Sequence, residues 1–309
     1  MKTQGEESLN DSEQVVYEEY SLEEENVTLD SADSDASSVF LPDLSKFSPD
    51  DLLILARAAE EIENHRDMRL VMKKLVCSRK VLGEEERLMF STAYKYAVSK
   101  CRSSWRSTSE MLQKQEECEQ QDKSLEPTSL YGISISGTTI EKDISLDSPL
   151  HTVARMIRGE LEDISFEMID IIRSKLLLEP LLDLADDRDE SIVFYRKLIA
   201  DYYRYLSEHL PDAGRSAYVT EATCFYDDAM KLAVSSLDAA NATRLGLALN
   251  ISVFYFEIMN KPDKACELAK IAYDAAVESL AGKSDAKDSM LLLDLLRENL
   301  TNWALAETS

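Results

Sequence analysis

The stretch Ser48-Pro49-Asp50-Asp51-Leu52-Leu53-Ile54-Leu55-Ala56-Arg57-Ala58-Ala59-Glu60-Glu61-Ile62 shows how the folded part of this chain begins. Ser48 is suited to cap a helix N-terminus, Pro49 fits the first turn, and the aspartates favour the positive end of the helix dipole. Apolar residues then recur at helical spacing, at Leu52, Leu55, Ala59 and Ile62. The pattern predicts a helix that starts near residue 49 and buries one face.

The same helical period continues along the chain and predicts an all-α fold. A second helix carries Met68, Met72 and Leu75, and a third runs from Gly83 to about Gln120. Six further periodic segments lie at 150–178, 189–210, 215–236, 242–260, 262–281 and 287–305. Only 8 glycines and 7 prolines occur in 309 residues, which argues against a turn-rich β fold. Nine helices with short connections predict an array of antiparallel pairs.

Composition divides the chain into an extension, a domain and a tail. Residues 1–46 hold 13 acidic residues against two lysines, a net −11, and we expect a disordered acidic extension there. Residues 47–305 form the predicted helical domain, and 306–309 a short tail. Within the domain, residues 122–149 interrupt the periodicity with prolines and glycines. They predict a loop insert, with a short strand pair as an alternative.

Charge and composition also exclude several classes of function. A net charge of −25 argues against nucleic acid or an anionic membrane as partner. No apolar run is long enough to cross a bilayer, and the N-terminus is unlike a secretory signal. Five scattered cysteines predict a reduced, intracellular protein whose thiols fill the core. The histidines and cysteines lack ligand spacing, so we expect neither a metal nor a cofactor.

A group of cations stands out against this acidity. On the third predicted helix, three of them lie within about 20° of a common line. Two others lie seven residues apart on a later helix, next to a tyrosine. The six residues are Lys95, Arg102, Arg106, Lys197, Arg204 and Tyr205. If the two helix faces meet, they form a site for phosphate oxygens. The alternative is that each cation is solvated and paired with a nearby carboxylate.

Two later helices each combine an apolar stripe with an amide. Asparagine on such a face needs a hydrogen-bond partner, and the backbone of an extended peptide could supply one. The alternative is a pair of core asparagines satisfied within the chain. The stripes consist of Leu249, Asn250, Val253 and Glu257, and of Leu291, Leu295, Asn299 and Trp303.

Several stretches resemble the 14-3-3 family in the family's order, from about Ser48 to Trp303. They are Glu85–Leu88, Ala93–Lys95, Arg102–Arg106, Asp201–Leu206, Arg244–Asn250 with Val253–Glu257, Asp263–Lys270, and Leu295–Thr301 with Trp303. The resemblance implies nine antiparallel helices in a concave, TPR-like array with an amphipathic groove. It also implies an adaptor that binds phosphoserine and phosphothreonine peptides and so regulates phosphorylated client proteins.

The resemblance assigns roles to individual residues. It implies phosphate binding by Lys95, Arg102, Arg106, Arg204 and Tyr205. It implies a peptide groove lined by Lys197, Leu249, Asn250, Val253, Glu257, Leu291, Leu295, Asn299 and Trp303. The expected location is the cytoplasm, with the nucleus as a second compartment. A helical scaffold that binds unphosphorylated partners is the alternative function. An enzyme is disfavoured, because no nucleophile, base and orienting group occur together.

The family also forms dimers, and this chain departs from its pattern at the interface. Asn64 replaces the usual arginine and Ile62 the usual alanine, while Val153 and Met156 stand where a tyrosine and a lysine normally lie. We therefore expect a homo- or heterodimer with an altered interface. Its candidate residues are Ala58, Ile62, Asn64, Asp67, Ser104, Val153, Met156 and Glu160.

Overall fold

The computed structural model of the protein describes residues 43–79, 81–124, 148–178, 187–210, 212–281 and 287–306. Within these ranges the chain forms nine α-helices and no strand, which confirms the predicted all-α class. The helices are α1 Pro49–Glu61, α2 His65–Ser78, α3 Glu84–Ser124, α4 Pro149–Ile171, α5 Arg188–Ser207, α6 Asp212–Ser236, α7 Ala242–Val253, α8 Pro262–Leu280 and α9 Lys287–Ala306. Helices α4 and α7 each continue into one π-helical turn, Ile172–Leu176 and Phe254–Ile258.

The start of α1 has the cap that the sequence predicts. The backbone N–H of Asp51 donates to Ser48 Oγ at 3.2 Å, and the N–H of Ser48 donates to the Asp51 carboxylate at 3.1 Å. This reciprocal capping box satisfies two backbone donors that a helix start would leave exposed. Pro49 follows in the first turn, where its missing N–H costs nothing. A short 3₁₀ turn, Leu44–Lys46, precedes this cap inside the predicted extension.

Helix α3 is longer than its apolar pattern predicts. It ends at Ser124 rather than near Gln120, so it takes the first residues of the predicted insert. Residues 113–117 are polar and mostly exposed, with Gln113 Nε2 donating to Glu117 Oε1 at 3.2 Å one turn later. Pairs of this kind support a helix that buries no apolar face. Residues 125–147 of the insert, which would include the strand pair, lie outside the described residues, as do residues 1–42 and 307–309.

The core is organised around α5. Fourteen of its twenty residues are buried, so nearly its whole circumference is covered. Helices α4, α6 and α7 pack against it, and α7 also packs against α8 and α9. Charged side chains on α5 therefore lie inside the protein, where they need partners. Helix α5 therefore places polar and charged side chains inside the core.

The cysteines correct one expectation. Of the five, only Cys101 is buried, and burial raises the pKa of its thiol to about 11. Cys77, Cys118 and Cys224 are exposed and Cys266 is half-buried. The prediction of core-filling thiols is therefore wrong for the three exposed cysteines. Their helix positions face solvent, which a count of cysteines does not reveal.

Candidate functional site

Two arginines from different helices share one carboxylate. Arg102 of α3 donates to Glu208 through Nε at 2.8 Å and through Nη2 at 3.1 Å. Nη1 of Arg204, on α5, donates at 3.4 Å to Glu208 Oε1, which is also the oxygen that accepts from Arg102 Nη2. Glu208 is the residue directly after α5, one turn beyond Arg204. The basic faces of α3 and α5 therefore meet at this point.

The ring of Tyr205 lies against both guanidinium groups. The central carbon of Arg102 is 4.5 Å from the ring centroid, and that of Arg204 is 4.6 Å from it. These are cation–π distances, and the ring restricts the orientation of both forks. Tyr205 is itself buried. Three of the predicted phosphate-binding residues are therefore in direct proximity.

Arg204 remains charged despite its burial. It is only 6% exposed, and burial by itself lowers the pKa of a guanidinium. The surrounding Tyr205, Tyr226, Glu208 and Asp201 act against this and hold the pKa of Arg204 above its usual value. The interior therefore contains a fixed positive charge next to the shared carboxylate.

A second carboxylate, Asp201, ties three helices together. Lys197 Nζ donates to its Oδ2 at 2.9 Å, while the Tyr226 hydroxyl and Asn250 Nδ2 donate to its Oδ1 at 2.5 and 2.8 Å. The carboxylate is 1% exposed, so these bonds replace its hydration. Lys197 and Asn250, predicted from different helices, thus converge on one acceptor. For Asn250 the structure supports the alternative interpretation, a buried amide with an internal partner.

The other two predicted cations lie on the same α3 face. Lys95 is half-buried, two turns before Arg102, and Arg106 is exposed one turn after it. Arg106 forms no ion pair with any residue that the structure describes. It borders a cleft of about 560 Å³ whose lining residues are Arg102, Trp105, Arg106, Ser109, Glu110, Gln113, Glu208, His209 and Glu257. The cleft joins α3 to the ends of α5 and α7.

The apolar wall differs from the prediction at one residue. Leu249 has no exposed surface, because most of α7 is buried and this side chain packs in the core. It therefore lies behind the wall and not on its surface. Val253, Leu291 and Leu295 are half-buried, as is the amide residue Asn299.

The end of α9 is fixed by an aromatic stack. The ring of Trp303 lies parallel to Phe256, with centroids 4.7 Å apart and 12° between the planes. Trp303 is buried and Phe256 half-buried. Glu257, the next residue of the π-helical turn, is exposed at the cleft. The stack connects α7 to α9 beside the cleft.

The sequence analysis did not predict that Glu208 bridges the two arginines or that His209 lines the cleft. Glu208 follows Arg204 by four residues, as Asp201 follows Lys197, and this spacing is the signal for intrahelical ion pairs. It does not reveal that Glu208 also reaches Arg102 on α3. No signal in one sequence would place His209 in the cleft wall, since that depends on how α3 packs against α5.

The dimer-interface candidates are mostly on the surface. Ile62 is 64% exposed and Met156 69%, and Val153 is also exposed. Ala58 and Glu160 are exposed, and Asn64 and Ser104 half-buried. Asp67 is the exception, because it is buried at the start of α2, where its carboxylate accepts from Asn64 Nδ2 at 2.9 Å. It is therefore not available as a contact residue.

The described ranges contain neither a helix that could span a membrane nor a group of residues that could hold a metal ion. None of the helices there combines the length and apolar character needed to cross a membrane. The same ranges hold no group of three or more histidine, cysteine, aspartate or glutamate residues that could hold a metal ion.

Comparison with known proteins shows the family to which this chain belongs. The family model of the 14-3-3 protein matches residues 55–304. The 14-3-3 protein zeta of Bombyx mori is 35% identical over 256 residues, which cover 82% of this chain and 91% of that protein. The zeta protein of Xenopus laevis is 36% identical over 255 residues, which cover 82% and 91%. The beta/alpha protein of Gallus gallus is 35% identical over 255 residues, which cover 82% and 92%. The chain belongs to the 14-3-3 family.

Proposed function

We propose that this chain binds phosphoserine and phosphothreonine segments of client proteins, with the phosphate held by Arg102 and Arg204. The observation that carries the proposal is their convergence on Glu208 from two helices. Each guanidinium has five N–H donors, and the shared carboxylate uses only some of them. The remaining donors can meet the oxygens of a phosphate, which brings nearly two negative charges.

Three other residues complete the proposed phosphate site. The Tyr205 ring orients both arginines, and its hydroxyl is a further donor. Lys95 supplies a third positive charge from the same face of α3. Arg106, one turn beyond Arg102, offers a guanidinium with no ion pair among the described residues. With Lys95, Arg102, Arg106 and Arg204 opposed by Glu208, the site has an excess of positive charge, which suits a phosphate dianion.

The rest of the bound segment is proposed to follow the groove between α3 and α9. Lys197 and Glu257 supply polar groups along it, whereas Asn250 is buried and donates to Asp201. The half-buried side chains of Val253, Leu291 and Leu295 offer an apolar floor, next to the half-buried amide of Asn299 and the buried ring of Trp303. An amphipathic lining of this kind suits an extended peptide.

Proteins of the 14-3-3 family are phosphopeptide-binding adaptors and not enzymes, which supports this proposal. We propose that the chain likewise regulates phosphorylated clients by docking, as a homo- or heterodimer. Exposed apolar side chains on α1 and α4, including Ile62, Val153 and Met156, fit a surface that a second chain covers. A scaffold that binds unphosphorylated partners is the alternative, and the dependence of binding on phosphate distinguishes the two.

A charge reversal at Lys95 tests the proposed site. Fluorescence anisotropy with a labelled phosphoserine peptide should show at least a tenfold loss of affinity in Lys95→Glu. The reason is that this substitution replaces a positive charge of the site with a negative one. Lys100→Glu is the matched control: it makes the same charge change at an exposed residue of α3, about 140° around the helix. Equal losses in the two variants would contradict the proposed site.

A further inference from the structure

His209 is a buried side chain whose ring nitrogens form no hydrogen bond within the described part of the chain. It follows Glu208 directly and is 6% exposed. Neither ring nitrogen makes a hydrogen bond to any described residue. The Tyr205 carbonyl, one turn earlier, is near enough to favour the protonated ring but is not in hydrogen-bond geometry. Buried polar groups without partners are rare, so this imidazole calls for an explanation.

The imidazole forms part of the cleft wall beside the proposed phosphate site. Its ring centroid is 5.3 Å from that of Trp105, and Arg102, Arg106 and Glu257 line the same cleft. A half-turn about the side chain exchanges Nδ1 with Cδ2 and Nε2 with Cε1, so a nitrogen can face the cleft without any backbone movement. The site of the missing hydrogen bond is therefore within reach of a ligand.

Charge decides what kind of group fits there. Burial lowers the pKa of His209, and Arg102 and Arg106 lower it further against the opposing effect of Glu208. The pKa stays below its usual value of 6.5, so the ring is neutral near pH 7. A neutral imidazole has one donor and one acceptor nitrogen. Since either tautomer can form, a group that both donates and accepts can meet whichever nitrogen faces the cleft. Amides and hydroxyls have this property, whereas a carboxylate can only accept from the N–H and an aliphatic chain forms no hydrogen bond.

We propose that His209 is a specificity-determining residue of the groove, favouring ligands with an uncharged amide or hydroxyl side chain beside the phosphorylated residue. The inference rests on the proposed function. Arg106 lies about 6 Å along α3 from Arg102, and an extended peptide advances about 3.3 Å per residue. Because His209 lines the same cleft as Arg106, the test covers side chains two and three residues from the phosphoserine.

The test compares labelled phosphoserine peptides that differ at one position. Glutamine, leucine or glutamate is placed two or three residues to either side of the phosphoserine, and affinities are measured by fluorescence anisotropy. If the glutamine side chain gains one hydrogen bond to His209, the glutamine peptide should bind about fivefold tighter than the leucine peptide at one of these positions. The advantage should disappear in His209→Phe, which keeps a planar ring, and persist in His209→Gln, which keeps an amide.

Several results would overturn the inference. They are equal affinities of the glutamine and leucine peptides for the wild-type protein, an undiminished advantage in His209→Phe, or a preference for glutamate over glutamine. Circular dichroism checks the fold of each variant, and His209→Leu is a second variant without ring nitrogens. Every peptide is also made without phosphate. Binding that does not depend on phosphate would contradict the proposed function itself, separately from the amide comparison.

Discussion

Arg102 of α3 and Arg204 of α5 donate hydrogen bonds to the same oxygen atom, Oε1 of Glu208, at 3.1 and 3.4 Å. Two guanidinium groups that would repel each other are thereby held side by side. The side chain of Arg204 is 8% exposed and that of Glu208 19%, so water screens this arrangement little. The carboxylate therefore stabilises both the fold and the geometry of the proposed phosphate site.

Removing the charge of Glu208 should destabilise the protein. In Glu208→Gln a nearly buried guanidinium loses its carboxylate, and we expect the free energy of unfolding to fall by about 2 kcal/mol. Urea denaturation followed by circular dichroism measures the change. Glu110→Gln removes an exposed carboxylate of the same cleft and should change it by less than about 0.5 kcal/mol. Equal stability of the two variants would show that Glu208 does not hold the arginines.

Asp201 should be the most sensitive carboxylate of α5. Asp201→Asn keeps the size of the side chain but loses the ion pair with Lys197 and leaves fewer acceptors for Tyr226 and Asn250. We expect a loss of about 3 kcal/mol in the free energy of unfolding, because the group is buried.

A surface pair provides the control for that substitution. Asp228 pairs with Lys231 at 3.1 Å, with side chains 49% and 75% exposed. Asp228→Asn removes the same charge from α6 and should cost less than about 1 kcal/mol. If Asp201→Asn is as stable as Asp228→Asn, the buried network contributes little.

Stability should fall as the pH decreases from 7 to 5. Burial lowers the pKa of both His65 and His209 below the ordinary value of 6.5. Below that value the unfolded chain binds protons that the folded chain does not, so acid favours unfolding. The stabilisation is fully present above pH 6.5 and is lost towards lower pH. Thermal unfolding of wild type and of His209→Gln at several pH values measures this. The same pH dependence in both would show that His209 does not contribute.

The exposed apolar surface of α1 and α4 should control oligomeric state. Met156→Glu places a charge on this surface and should lower the mass measured by light scattering from two chains towards one, about 35 kDa. Met290→Glu makes the same change at a residue of α9 that is 54% exposed and should leave the mass unchanged. A wild-type protein that scatters as one chain would contradict the proposed dimer.

Local features of the fold could be predicted from the sequence. The capping box of Ser48 and Asp51 depends on residues three positions apart, and the helical period of Leu52, Leu55 and Ala59 depends on neighbouring turns. Such signals are complete within one segment, so the all-α class follows from them. The end of α3 could not be placed in this way, because residues 113–124 of the sequence have no apolar period.

Relations between helices could not be predicted in the same way. Leu249 has the spacing of a groove residue, but whether its stripe faces solvent or core depends on how α7 packs. The link from Arg102 to Glu208 and the position of His209 depend likewise on the contact between α3 and α5. The spacing of Lys95, Arg102 and Arg106 predicted a basic face, and the resemblance to a known family assigned it a phosphate.

The central claim is that the arginine pair binds phosphate on a client segment. The most direct test titrates the whole chain into a labelled phosphoserine peptide and into its unphosphorylated twin, with fluorescence anisotropy as the measurement. Losing several charge-assisted hydrogen bonds should weaken binding of the twin by at least about 100-fold. Equal affinity for the two peptides would contradict the account.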